Sequence, residues 1–121
     1  MVVDQVRADR LPLESFVSAL TLAELAAGTH MSEDPQERAR RQERLQHIEA
    51  TVDALPFDGA AARAYGRVAA AVMVRGRKPR GRRALDLLIA ASAAANGLAL
   101  YTRDPEDFAG LEGIVEVIAV A

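Results

Sequence analysis

The stretch Ala84–Phe108, ALDLLIAASAAANGLALYTRDPEDF, decides the fold. From Ala84 to Thr102 it carries a single charge, Asp86. The run LLIAASAAA is apolar on nearly every side, which marks a helix packed inside the core rather than lying on it. Asn96-Gly97 supplies a left-handed stop just beyond that helix. LALYT reads as a short buried strand. Arg103-Asp104-Pro105-Glu106-Asp107-Phe108 restarts the chain as loop or helix, with Pro105 suited to a first helical position. One carboxylate therefore opens a buried helix, and two more follow the next strand. Burying an unpaired carboxylate costs several kcal/mol. A cap, an ion pair or a cation has to account for it.

Upstream, Phe16–Leu20 is a predicted strand. Thr21-Leu22-Ala23-Glu24 has the T-x-x-E form of a capping box, opening a helix that Gly28 stops. Asp34-Pro35 starts a second helix that runs to about Thr51. It is dense in charge, with an inner stripe of Ala39, Leu45, Ile48 and Val52. Leu55-Pro56-Phe57 is extended. Asp58 caps a third helix, whose apolar positions Ala61, Tyr65, Val68 and Val72 step by four, three and four. Arg75–Arg83, RGRKPRGRR, reads as a loop because it holds two Gly and a Pro. Ile114–Val120 is a last strand. Asp9–Pro12 reads as a turn, and Met1–Val6 fits either a strand end or a frayed helix. Strands alternating with helices imply an α/β layered domain around a parallel sheet, in which ligands bind beyond the carboxyl ends of the strands.

The 121 residues fit one domain with one core. A net charge of −2 gives no global electrostatic attraction for nucleic acid. The absence of Cys excludes disulfides and thiolate metal sites. Leu87–Thr102 is the longest uncharged run; Asn96-Gly97 breaks it, and it is shorter than the ~18–20 residues a membrane span needs. The first residues are charged and hold no apolar signal core, so the expected compartment is the cytoplasm, with no membrane contact.

Glu24, Asp86, Asp104 and Asp107 each follow a strand or begin a helix. Taken singly, each has a structural reading: Glu24 as the capping-box acid, Asp86 as a first-turn acid favourable to the helix dipole, Asp104 and Asp107 as N-cap and N3 of a short helix. Taken together on parallel strands, they gather at one sheet edge. Clustered carboxylates repel unless a cation neutralises them. Their hard oxygens select Mg²⁺, with Mn²⁺ the alternative, and such a site activates water and clamps a phosphodiester. A metal nuclease is the reaction class that fits. Asp86 stands out as a metal ligand because no basic partner is expected on its helix.

The loop Arg75–Arg83 holds six basic residues, and the remaining nine Lys/Arg face seventeen Asp/Glu, a balance of −8. A solvated loop is one reading. A phosphate-backbone contact through Arg80, Arg82 and Arg83 is the other, favoured by the position directly before Asp86. His30, His47, Ser18 and Ser92 form no nucleophile–base pair, and no Gly-rich phosphate loop is present.

VSALTLAELAAG, LPFDGAAARAYGRV and ALDLLIAASAAANGLALYTRDPEDF together resemble the PIN-domain endoribonuclease toxins of bacterial type II toxin–antitoxin modules, the VapC-like family. The resemblance runs from about Phe16 to the C-terminus. It implies a three-layer sandwich with helices on both faces of a parallel sheet, Mg²⁺-dependent RNA cleavage, a homodimer and inhibition by a cognate antitoxin. By position, it assigns Glu24, Asp86, Asp104 and Asp107 to the catalytic acids, with Glu24, Asp86 and Asp104 as metal ligands. The family's chains open with an apolar strand ending in Asp followed by Thr or Ser, and that Asp is a further ligand. Here the chain opens MVVDQVRADRLP. Met1-Val2-Val3 reads as the segment after that strand rather than the strand itself, so a truncated start with weak Mg²⁺ binding is expected. Asp4 is the candidate substitute. A catalytically impaired remnant that still binds antitoxin is the alternative to an active nuclease, and a small α/β domain whose acids are only caps is a third reading.

Overall fold

The computed structural model describes residues 2–4, 16–77 and 80–120, and for residues 2–4 the backbone only. The turn expected at Asp9–Pro12, and Lys78 and Pro79 of the basic loop, lie outside them. In chain order the elements are β1 (Val2–Asp4), β2 (Phe16–Ser18), α1 (Ala19–Gly28), α2 (Pro35–Thr51), β3 (Asp53–Leu55), α3 (Gly59–Val74), α4 (Arg82–Ala95), β4 (Leu100–Thr102), a 3₁₀ turn (Pro105–Phe108) and β5 (Val117–Ala119). The five strands form one sheet in the order β3-β2-β1-β4-β5. Every pairing is parallel, so all carboxyl ends lie at one edge.

β1 occupies the centre of that sheet. Val2 pairs with Phe16 on one side and Leu100 on the other, and Asp4 with Thr102. The expectation that Met1-Val2-Val3 lies after the strand is therefore corrected: Val2–Asp4 is itself strand. A three-residue strand shows no period of its own, and the pairing that defines it comes from distant sequence. From β2 the chain advances outward to β3, and from β3 it returns across the sheet to β4. Right-handed crossovers running in opposite senses put α1 and α2 on one face and α3 and α4 on the other.

Helix starts follow local chemistry. Asp34 accepts a hydrogen bond from the Gln36 N–H at 3.1 Å, and Asp58 one from the Ala61 N–H at 3.0 Å. α4 stops as the sequence predicts. Gly97 takes φ 63°, the Leu98 N–H donates to Ala93 O at 3.0 Å, and the Gly97 N–H donates to Ala94 O at 3.2 Å. These two bonds are a Schellman motif.

Two helix starts differ from the sequence reading. Ser18, not Thr21, caps α1, its hydroxyl accepting from the Leu20 N–H at 3.1 Å. α4 begins at Arg82, two residues before Ala84, because Gly81 at φ 57° turns the chain into the helix. The stripe expected on α2 is realised at Leu45, Ile48 and Val52, whereas Ala39 is exposed.

The main core joins Ala64, Val68 and Val72 of α3 to Leu87, Ile89, Ala90, Ala91 and Ala93 of α4, with Leu100, Phe108, Leu111 and Val115. Alanines let α3 and α4 approach closely. Val17, Leu45 and Val52 are buried outside that cluster. No helix among the described residues is long and apolar enough to cross a membrane. Leu87 is fully buried. Leu87→Ala is expected to cost about 2–5 kcal/mol by denaturant unfolding, the range for truncating a buried leucine.

Candidate functional site

The acids predicted from sequence divide into two groups. Glu24 and Asp86 come together from different helices. α1 springs directly from β2 with no loop between them, which ties Glu24 to the carboxyl edge of the sheet. Counted from Ser18, Glu24 lies in the second turn of α1, and the first turn holds no acid. The capping-box reading of Glu24 therefore fails. Asp86 likewise lies past the first turn of α4, so a first-turn dipole contact does not explain it. It is 5% exposed.

The Glu24 carboxyl has its pKa raised above the ordinary carboxylate value. Burial is the main cause, the Arg82 guanidinium opposes it, and the negative charge of Asp86 adds to the rise. Arg82 Nη1 stands 3.6 Å from Glu24 Oε2. This corrects the sequence reading of Asp86, which gave it no basic partner on its own helix. With α4 starting at Arg82, both Arg82 and Arg83 share that helix, at the i−4 and i−3 positions that face the same side as Asp86.

Two further polar atoms lie beside this pair in sequence. Thr21 Oγ1 and Arg83 Nη1 are buried and have no hydrogen-bond partner among the described residues. Thr21 precedes Glu24 by three positions and Arg83 precedes Asp86 by three, so each shares the face of its carboxylate. Sequence reasoning used Thr21 only as a cap and missed its place here. The signal was the i, i+3 spacing that a helix begun at Ser18 creates.

Asp104 and Asp107 form the second group. Asp104 follows β4 and is exposed; its backbone N–H donates to Thr102 Oγ1 at 3.0 Å. Asp107 lies in the 3₁₀ turn, and its N–H donates to Asp104 O at 3.1 Å. The positions match the expected N-cap and N3, although Asp104 makes no side-chain cap bond. Among the described residues, no three acids or histidines gather as a metal-binding group. Glu24 and Asp86 are thus a pair, to which Asp104 and Asp107 are not joined as third ligands. Asp4 ends the central strand in register with Thr102, at the same sheet edge. A cavity of about 320 Å³ lined by Pro105, Glu106, Phe108, Ala109, Glu112, Val115 and Val117 includes none of the predicted acids.

Residues 3–113 match the PIN domain family. The chain belongs to that family. It is 37% identical over 112 residues to Ribonuclease VapC5 of Mycobacterium tuberculosis, covering 91% of this chain and 79% of that protein. A crystal structure of VapBC-5, a member of the VapBC family of toxin–antitoxin systems from the same organism, superposes with a TM-score of 0.83 at 35% identity. It covers 98% of this chain and 97% of its own. A DNA-bound VapBC from Salmonella typhimurium superposes with a TM-score of 0.71 at 26% identity, over 87% of this PIN-domain chain and 74% of the other. The α/β architecture with a parallel sheet is that of the family.

The chemistry of the acid pair in this PIN domain is that of hard oxygen donors, which would suit a divalent cation. Glu24 and Asp86 offer carboxylate oxygens and oppose each other's charge, and Mg²⁺ retains several waters, so few protein ligands suffice. When bound, such an ion supplies an activated water and a clamp for a phosphodiester oxygen.

The raised Glu24 pKa fixes the sign of a stability test. The folded chain holds the Glu24 proton more tightly than the unfolded chain does, so this group's contribution to stability falls as pH rises from the unfolded carboxylate pKa through the folded one. In chelator at neutral pH, Glu24→Gln is expected to raise Tm, and the gain should vanish at acid pH, where Glu24 is protonated. A lower Tm at neutral pH would return Glu24 to a structural role.

Proposed function

We infer that this chain is the toxin of a type II toxin–antitoxin pair, a Mg²⁺-dependent endoribonuclease that acts in the cytoplasm. The observation that carries the reading is the pairing of Glu24 and Asp86. Two helices bring one carboxylate each to the carboxyl edge of a parallel sheet, where neither serves as a cap. Natural chains keep like charges close together, one of them buried here, where function requires them. The 37% identity to Ribonuclease VapC5 supports RNA as the substrate. The likeness to VapBC-5 supports a cognate antitoxin as partner.

Within this reading Glu24 and Asp86 hold the metal. Asp4 replaces the family's first acid, because its register puts it at the same edge. Asp104 and Asp107, after β4 at the same sheet edge, form an acidic rim rather than further ligands. Arg83 has a buried guanidinium nitrogen with no hydrogen-bond partner among the described residues, at a cost of about 1–3 kcal/mol for an unsatisfied donor. A phosphate oxygen of the RNA backbone satisfies it. Arg80, exposed just before α4, adds a second phosphate contact. Met73 and Val74, both exposed at the end of α3, offer apolar surface to a second copy in a homodimer.

Asp86→Asn keeps the side chain's shape and removes its charge. It is expected to lower Mg²⁺- or Mn²⁺-dependent RNA cleavage by at least about 100-fold, the scale of losing a principal electrostatic group, with the far-UV spectrum unchanged. Unchanged cleavage would remove Asp86 from the site. Absent cleavage by the parent chain, with antitoxin binding intact, would favour the impaired remnant.

Replacing Arg80 and Arg83 together by Gln is expected to weaken RNA binding. It should flatten the slope of log affinity against log salt by roughly 0.7 for each single-strand phosphate that is no longer neutralised. An unchanged slope would exclude phosphate binding at these positions.

A further inference from the structure

We propose that Arg82 is a built-in counter-charge that a divalent cation must displace from Glu24, and that the displaced guanidinium then turns to the RNA phosphate. This deepens the nuclease reading and rests on it. The Arg82–Glu24 ion pair is its foundation: Nη1 to Oε2 is 3.6 Å, with the Arg82 side chain 63% exposed and that of Glu24 27% exposed. Arg82 stands at the first position of α4, one turn before Asp86 and on the same side of the helix. The guanidinium that pairs with Glu24 thus starts from the face of α4 that carries Asp86.

Charge sets the outcome of the competition. Without metal, the two carboxylates receive a single positive charge from this position. A divalent ion brings two positive charges and binds at shorter range than 3.6 Å. Arg82 next to that ion is repelled, and the loose, mostly exposed pair gives way readily. Its fork of N–H donors, anchored at a helix start, remains at the rim of the site. There a bidentate partner of opposite charge, such as a phosphodiester, is the natural replacement. Metal binding and RNA binding are thereby coupled through one side chain, and Arg82 acts as a positioning residue.

The test uses the full chain, freed of metal with chelator, and Mn²⁺ as the probe in titration calorimetry. Arg82→Gln is expected to bind Mn²⁺ roughly three- to tenfold more tightly than the parent, the combined scale of an exposed ion pair and one removed like charge. Arg82→Lys keeps the charge and should stay within about twofold. Binding of an uncleavable 2′-O-methyl RNA oligonucleotide, followed by anisotropy, should be strengthened by Mn²⁺ in the parent and less so in Arg82→Gln. Mn²⁺ affinity that is unchanged or weaker in Arg82→Gln overturns the proposal. Asp86→Asn separates the two levels. If it abolishes Mn²⁺ binding while Arg82→Gln has no effect, the metal reading stands and only the Arg82 proposal falls. If Asp86→Asn binds Mn²⁺ as well as the parent, the metal reading itself fails and takes the proposal with it.

Discussion

Two carboxylates held close enough to oppose each other's charge, Glu24 on α1 and Asp86 on α4, are the interaction to which the other features of this chain relate. Such a pair is unstable in isolation and persists only where the scaffold holds both sides. On one side, α1 follows β2 without a connecting loop, capped by the buried Ser18. On the other, α4 is fixed by a wall of buried small and aliphatic residues against α3. α4 cannot turn Asp86 away without breaking the packing behind it.

Much of this was legible in the sequence, and the reasons differ from element to element. The caps at Asp34 and Asp58 and the Asn96-Gly97 stop are local signals, complete within a few residues, and the structure realises all three. The buried helix and its lone Asp86 were legible because one charge in an apolar run has few structural explanations. The start of α1 was ambiguous, since Ser18 and Thr21 can both cap. What decided between them was where β2 ends, a consequence of pairing with β1 and β3. The start of α4 was hidden by composition. Two glycines and a proline read as loop, yet Gly81 at φ 57° is the entry into the helix. That shift of two residues turned Arg82 and Arg83 from loop residues into neighbours of Asp86. β1 was the least legible element, because three residues carry no period and central strands are defined by partners far away in sequence.

The parallel sheet makes the rest of the site economical. With every strand running the same way, one edge receives Asp4 in register with Thr102, the Ser18 start of α1 and the turn to Asp104. Residues widely separated in sequence thus meet at one edge, the general reason that open parallel sheets carry their chemistry beyond the strand ends. None of the residues lining the cavity beside the 3₁₀ turn belongs to the acid pair.

Local disagreement between sequence and stability is concentrated there as well. Thr21 Oγ1 and Arg83 Nη1 are buried polar atoms without hydrogen-bond partners among the described residues, and each lies three positions before one of the two carboxylates. An unsatisfied donor or acceptor and an opposed charge are separate penalties, and chance would scatter them over the molecule. Their placement on the same two helix faces implies a common cause. A ligand that is at once cationic, to relieve the carboxylates, and rich in oxygen acceptors, to satisfy the guanidinium, removes all of them together. A hydrated divalent ion with a phosphodiester has that composition. Neither component does so alone, since the ion leaves Arg83 without an acceptor and the phosphate would face two carboxylates. Under the proposed nuclease reading, metal and nucleic acid share this site, and each binds better in the presence of the other.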